Sequence, residues 1–136
     1  MADVAVRLSW TGEGLRFRGG GEGGPEVTVD GRGEAGPSPM QTLLLALGAC
    51  SGADVVDILG KMRVTLSGLE VAIEGERTAE APRRYTAIRI RYLARGLPAE
   101  AEERLRHAVE LSQEKYCSVL HTLRPDVVVE SDVALL

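Results

Sequence analysis

The sequence predicts an α+β fold, and three observations carry the prediction. Short strands with period-2 alternation open the chain, a long apolar helix bearing a cysteine fills its middle, and a charged hairpin precedes a helix pair and a last strand. The order βββ-α-ββ-αα-β has no repeating βαβ unit, which excludes a doubly wound parallel sheet. With 136 residues the chain is expected to form a single domain, residues 1–136, with a core of its own.

Ala2, Val4, Val6, Leu8 and Trp10 alternate with Asp3, Ala5, Arg7 and Ser9, the pattern of a strand with one buried face. Thr11-Gly12-Glu13-Gly14 is a turn, Leu15 to Arg18 a second short strand, and GGGEGGPE a glycine-rich loop. Val27-Thr28-Val29 makes a third strand, closed by Asp30-Gly31. After the breaker-rich GRGEAGPSP, Ser38 can cap a helix whose first position is Pro39, where the missing N–H costs nothing. That helix is expected to run to about Met62. Its leucines, valines and isoleucine do not keep to one stripe, so it must be covered on most sides, more than one small chain can manage alone.

Leu69, Val71 and Ile73 alternate with Glu70, Ala72 and Glu74, and Ile88, Ile90, Tyr92 and Ala94 with Arg89, Arg91, Leu93 and Arg95. Antiparallel pairing across the loop at Pro82 would set glutamates beside arginines on a solvated face. Pro98 to Gln113 is an amphipathic helix with Glu100/Arg104 and Glu102/Arg106 at i,i+4, Cys117 to Leu123 a short helix ended by Pro125, and Val127-Val128-Val129 the last strand.

Composition narrows the functions. A net charge of −4, with the arginines interspersed among acids, leaves no footprint for nucleic acid. The N-terminus lacks a secretory pattern and no apolar run approaches the ~18 residues of a membrane helix, so a cytoplasmic protein without a membrane partner is expected. Arginine supplies most of the positive charge, a composition that suits a thermophile or a GC-rich genome.

Two cysteines in a reducing compartment point to catalysis, redox sensing or simple burial. Cys50 stands mid-helix among Gly48, Ala49, Gly52 and Ala53, small neighbours that let another element approach its sulfur. Those glycines cost roughly 1 kcal/mol each against alanine, and close packing alone could offset them. Cys117 opens a helix, where N-terminal amides favour a thiolate. One thiol on each helix could reduce a peroxide, with a sulfenic acid on one sulfur and condensation by the other. Cys117 and His121 lack the spacing of a zinc site, so no metal is expected and His121 is taken as a surface histidine. GGGEGG lacks the context of a phosphate loop. Asp54 and Asp57 are expected to face solvent or an interface.

At these residues a family resemblance enters. "GPSPMQTLLLALGACSGADVV", followed later by "SQEKYCSVLHTL", resembles the OsmC/Ohr family, which carries a cysteine helix and a later C-x-V motif; "SPM", "DVV" and "EKYCSV" are most similar to its YhfA-type subgroup. The resemblance spans nearly the whole chain. It implies an OsmC-like intertwined homodimer with two long helices at its centre. It also implies reduction of organic hydroperoxides, with Cys50 peroxidatic and Cys117 resolving, no bound cofactor, and electrons from an external dithiol. In the peroxidase branches an N-terminal arginine, held by a glutamate early in the cysteine helix, stabilises the thiolate. Here uncharged Met40 and Gln41 stand at the corresponding positions, Arg18 and then Arg16 are the candidate cations, and Leu43 and Leu47 are candidates to line the substrate's approach. The alternative is a non-catalytic module that binds a small apolar ligand or senses redox state at the dimer interface.

Overall fold

The computed structural model of the protein describes residues 2–136. The chain divides into two compact units, one ending at Leu43 and the other running from Leu44 to Leu136.

The first unit is an antiparallel meander of β1 (Val6–Trp10), β2 (Arg16–Gly21) and β3 (Val27–Asp30). Two sequence expectations change here. The strand expected from Ala2 begins at Val6, and its apolar face is exposed rather than buried: Val6, Leu8 and Trp10 keep 66%, 52% and 59% of their surface. The glycine run expected as a loop is partly strand, because Gly19, Gly20 and Gly21 pair with Leu8, Arg7 and Val6. A Cβ on Gly19 would strike the Arg7 carbonyl oxygen, so this close approach of two backbones requires glycine.

Asp30 closes β3 and organises the loop to the long helix. Its buried carboxylate accepts the backbone N–H groups of Arg32 (2.9 Å), Glu34 (3.3 Å) and Ala35 (2.9 Å), and the Arg16 guanidinium lies 3.7 Å away. α1 (Pro39–Lys61) then starts with a reciprocal cap. The Gln41 N–H donates to Ser38 Oγ at 3.1 Å, and the Ser38 N–H donates to Gln41 Oε1 at 2.9 Å. Gln41 is thereby committed to the start of the helix.

The second unit holds most of α1 and a sheet of β4 (Gly68–Arg77), β5 (Tyr85–Arg95) and β6 (Val128–Leu135), in that order, with β5 antiparallel to β4 and parallel to β6. The charged face forms as the alternation requires: Arg89 reaches Glu74 at 3.1 Å and Glu76 at 3.7 Å, and Arg91 reaches Asp132 at 3.1 Å. On the opposite face Ile88, Ile90, Tyr92 and Ala94 are buried, together with Leu47, Val55 and Leu59 of α1. Gly48 sets the closeness of helix and sheet, since a Cβ there would lie 2.8 Å from Ile73 Cδ1. α1 contains a window as apolar as a membrane span, of mean hydropathy 1.7, contrary to the expectation that no such run exists. Ser51 and Asp54, hydrogen-bonded within the unit, mark it as a helix packed in protein.

A short 3₁₀ turn at Ala99–Ala101 leads into α2 (Glu102–Leu111), whose Leu105, Ala108 and Val109 are buried. Residues Ser112–Tyr116 then widen into a π turn, with the Cys117 N–H donating to the Ser112 carbonyl at 2.7 Å, and α3 (Ser118–Thr122) follows.

Candidate functional site

The second unit brings Cys50 and Cys117 together. Cys50 projects half-buried from α1, Cys117 is buried where the π turn meets α3, and both are free thiols, near enough that Cys50 influences the ionisation of Cys117. Burial is the first cause that pushes the Cys117 thiol up, to about 11. A hydrogen bond from the Leu120 N–H works the other way, while contact with Cys50 and the charges of Cys50 and Asp54 add to the rise. The thiolate expected at this helix start is therefore outweighed by desolvation, and Cys117 stands as a protonated thiol at neutral pH.

Around the thiols runs a chain of polar side chains. Ser51 Oγ lies 2.6 Å from the Tyr92 hydroxyl and 2.8 Å from Ser112 Oγ. Ser112 donates to an Asp54 carboxylate oxygen at 2.9 Å, Gln113 Nε2 donates to the Tyr92 oxygen at 3.2 Å, and Ser131 donates to Gln113 Oε1 at 3.3 Å. Counting protons fixes its direction. Ser112 spends its one proton on a carboxylate that can only accept, so it accepts from Ser51, and Ser51 in turn accepts from Tyr92. Every bond points toward Asp54, from Ser131 on β6 through the π turn and β5 to α1. Such an aligned series is mutually polarising.

The chain also sets the geometry of the thiols. Ser51 follows Cys50 in sequence, and Ser112 holds the Cys117 N–H through its carbonyl, so the Ser51–Ser112 bond ties together the two backbones that carry sulfur. His121 braces the turn from outside, with Nδ1 2.8 Å from the Cys117 carbonyl oxygen and Nε2 3.2 Å from that of Glu114. π turns of this kind gather at functional sites.

The other candidates lie as follows. Asp54 is not a solvent residue but the half-buried end of the polar chain, whereas Asp57 is exposed and pairs with Lys61 at 3.0 Å. Leu47 is only 1% exposed and belongs to the core, while Leu43 is at the surface. In the first unit Arg18 donates to Thr28 Oγ1 at 2.8 Å and lies 3.7 Å from Glu26, and Arg16 pairs with Glu13 at 3.1 Å. Among the described residues no three His, Cys, Asp or Glu side chains cluster as metal ligands. Ser51, Ser112 and Tyr92 join the site beyond the candidates the sequence offers, and for Ser51 the sequence does carry a signal. Leu47, Ser51, Val55 and Leu59 repeat at i+4, so a serine occupies a position the pattern assigns to the core.

The chain is similar to known proteins over most of its length. The profile of the OsmC family, described as "OsmC-like protein", matches residues 31–132. Protein YhfA of Escherichia coli K12 is 42% identical over 117 residues, 85% of this chain and 86% of its own length. A solved structure of a hypothetical protein from Aquifex aeolicus VF5 superposes with a TM-score of 0.84 at 34% identity, covering 100% of this chain and 98% of that one. The organic hydroperoxide resistance protein OhrB of Bacillus subtilis shares the fold, with a TM-score of 0.65 at 14% identity and 98% coverage of both chains. With its fold and these relatives in agreement, the chain belongs to the OsmC-like protein family.

Proposed function

We propose that the protein is a thiol-dependent peroxidase that reduces organic hydroperoxides in oxidative stress defence. Membership of the OsmC-like family supports a redox or peroxide-related role. The observation that carries the finer reading is the pair of neighbouring free thiols, one half-exposed and the other buried and protonated. Cys50 attacks the distal peroxide oxygen; the O–O bond breaks, the alcohol leaves, and Cys50 becomes a sulfenic acid. Cys117 condenses with it to a disulfide and water, and an external dithiol restores both thiols without a bound cofactor.

The chain works as one domain, residues 1–136, in an intertwined homodimer in the cytoplasm. Exposed Leu8, Trp10, Leu45 and Val56 support the dimer, because apolar surface on this scale is ordinarily covered by a partner. Turnover with a dithiol is the test. Cumene hydroperoxide should react faster than hydrogen peroxide, since burying the tail contributes binding a bare peroxide lacks. Equal, negligible rates for both would reject the reading.

A second reading draws on an open apolar groove where Gly48, Ala49, Gly52 and Ala53 of α1 face Leu69 and Val71 of β4. A non-catalytic module would hold a small apolar ligand there, and both thiols would remain reduced under mild peroxide.

A further inference from the structure

Closing the disulfide requires Cys117 to lose its proton as it attacks, and the thiol is buried where water cannot take that proton freely. The sequence resemblance provides for the first cysteine only. What stands beside the pair instead is a carboxylate. Asp54 lies at i+4 from Cys50, a spacing that leaves about 5–6 Å between Cβ atoms on one helix face. It is hydrogen-bonded by Ser112, the residue whose carbonyl holds the Cys117 N–H. Its charge opposes ionisation at both Cys117 and Tyr92. The directed chain from Ser131 ends at Ser112, whose hydroxyl donates to one oxygen of this carboxylate and orients it.

We propose that Asp54 is the general base of the second half-reaction, taking the Cys117 proton as that sulfur attacks Cys50. The proposal rests on the thiol-pair reading above. On a Cys50 sulfenic acid the balance is complete. The Cys117 S–H bond breaks and its proton passes to Asp54, the S–S bond forms as the Cys50 S–O bond breaks, and the departing hydroxide recovers the proton from Asp54 and leaves as water. The oxidising equivalents come from the hydroperoxide consumed in the first step.

The step can be isolated without any peroxide. Dithionitrobenzoate places a thionitrobenzoate on the accessible Cys50, and attack by Cys117 expels a second coloured thiolate; Cys117→Ser, which stops after the first release, identifies it. In the wild type the second release should be nearly independent of pH around neutrality, because a carboxylate base is already ionised there. In Asp54→Asn it should slow on the order of a hundredfold and become proportional to hydroxide concentration, and Asp54→Glu should restore part of the rate. The opposite sign is equally informative. If Asp54 only imposes negative charge, its removal lowers the Cys117 pKa and speeds closure, and a second release in Asp54→Asn as fast as wild type or faster overturns the proposal. So does a wild type whose release rises with hydroxide across the neutral range, a result that needs no variant to fold. A wild type that closes under Asp54's control yet ignores hydroperoxides would overturn the peroxidase reading alone.

Discussion

Cys117 is the residue on which stability and chemistry meet. Its thiol titrates at about 11 in the fold against an ordinary 9.0, chiefly because burial disfavours the thiolate. A raised pKa contributes stability that is full below the ordinary value and lost as pH rises through the folded one. Urea midpoints should therefore fall between pH 9.0 and about 11, and Cys117→Ser should fall less over that window. The comparison isolates the thiol, since the phenol of Tyr92 is also raised by burial and titrates in both proteins. Tyr92→Phe tests the polar chain at its centre. It leaves Ser51 without its donor and Gln113 without its acceptor, so a loss of about 1–3 kcal/mol in urea unfolding is expected; a neutral result would mean that water replaces the hydroxyl. This chain was the least legible part of the site in the sequence. Ser51 and Tyr92 each sit on a periodic apolar face, but no local pattern says that a serine sixty residues on completes the link.

At the scale of elements, periodicity carried most of the reading. The β4–β5 hairpin with its Glu–Arg register and the amphipathic part of α2 follow from spacing, because each buries one face within its own unit, while α1 follows from its cap and its long run without breakers. The π turn did not, since a single extra residue per turn leaves no trace in a hydrophobic pattern. Nor did β2's passage through Gly19–Gly21, where backbone pairing rather than side-chain packing decides the strand. The Asp30 loop is a local element with its own pH signature. Three backbone N–H groups hold the carboxyl below its ordinary 3.8, those of Ala35 and Arg32 foremost. A depressed pKa contributes stability present above the ordinary value and lost as pH falls through the folded one. Wild-type stability should thus decline below pH 3.8, and Asp30→Asn should be weaker at neutral pH with a shallower acid decline. Parallel acid curves for the two proteins would remove Asp30 from this account.

The whole molecule is where the single-chain view is least sufficient. The face of β1 that alternation assigns to a core is open, and Leu45 and Val56 leave α1 apolar on sides its own chain does not cover. Periodicity identifies a face to be buried but not the chain that buries it, which is why the sequence expectation of a closed first strand differs from the structure. The homodimer proposed above would account for both features. Sedimentation at micromolar concentration should give twice the 14.6 kDa chain mass, and Leu45→Arg should shift the protein toward monomer by placing a charge in the covered surface. A wild type that sediments as a single chain would contradict this. The central claim concerns the two sulfurs, and intact mass addresses it most directly. One equivalent of cumene hydroperoxide should remove two hydrogens per chain and leave no alkylatable thiol, Cys117→Ser should stop with one oxygen added at Cys50, and Cys50→Ser should not react; a wild type that keeps both thiols alkylatable after the same treatment would contradict the account.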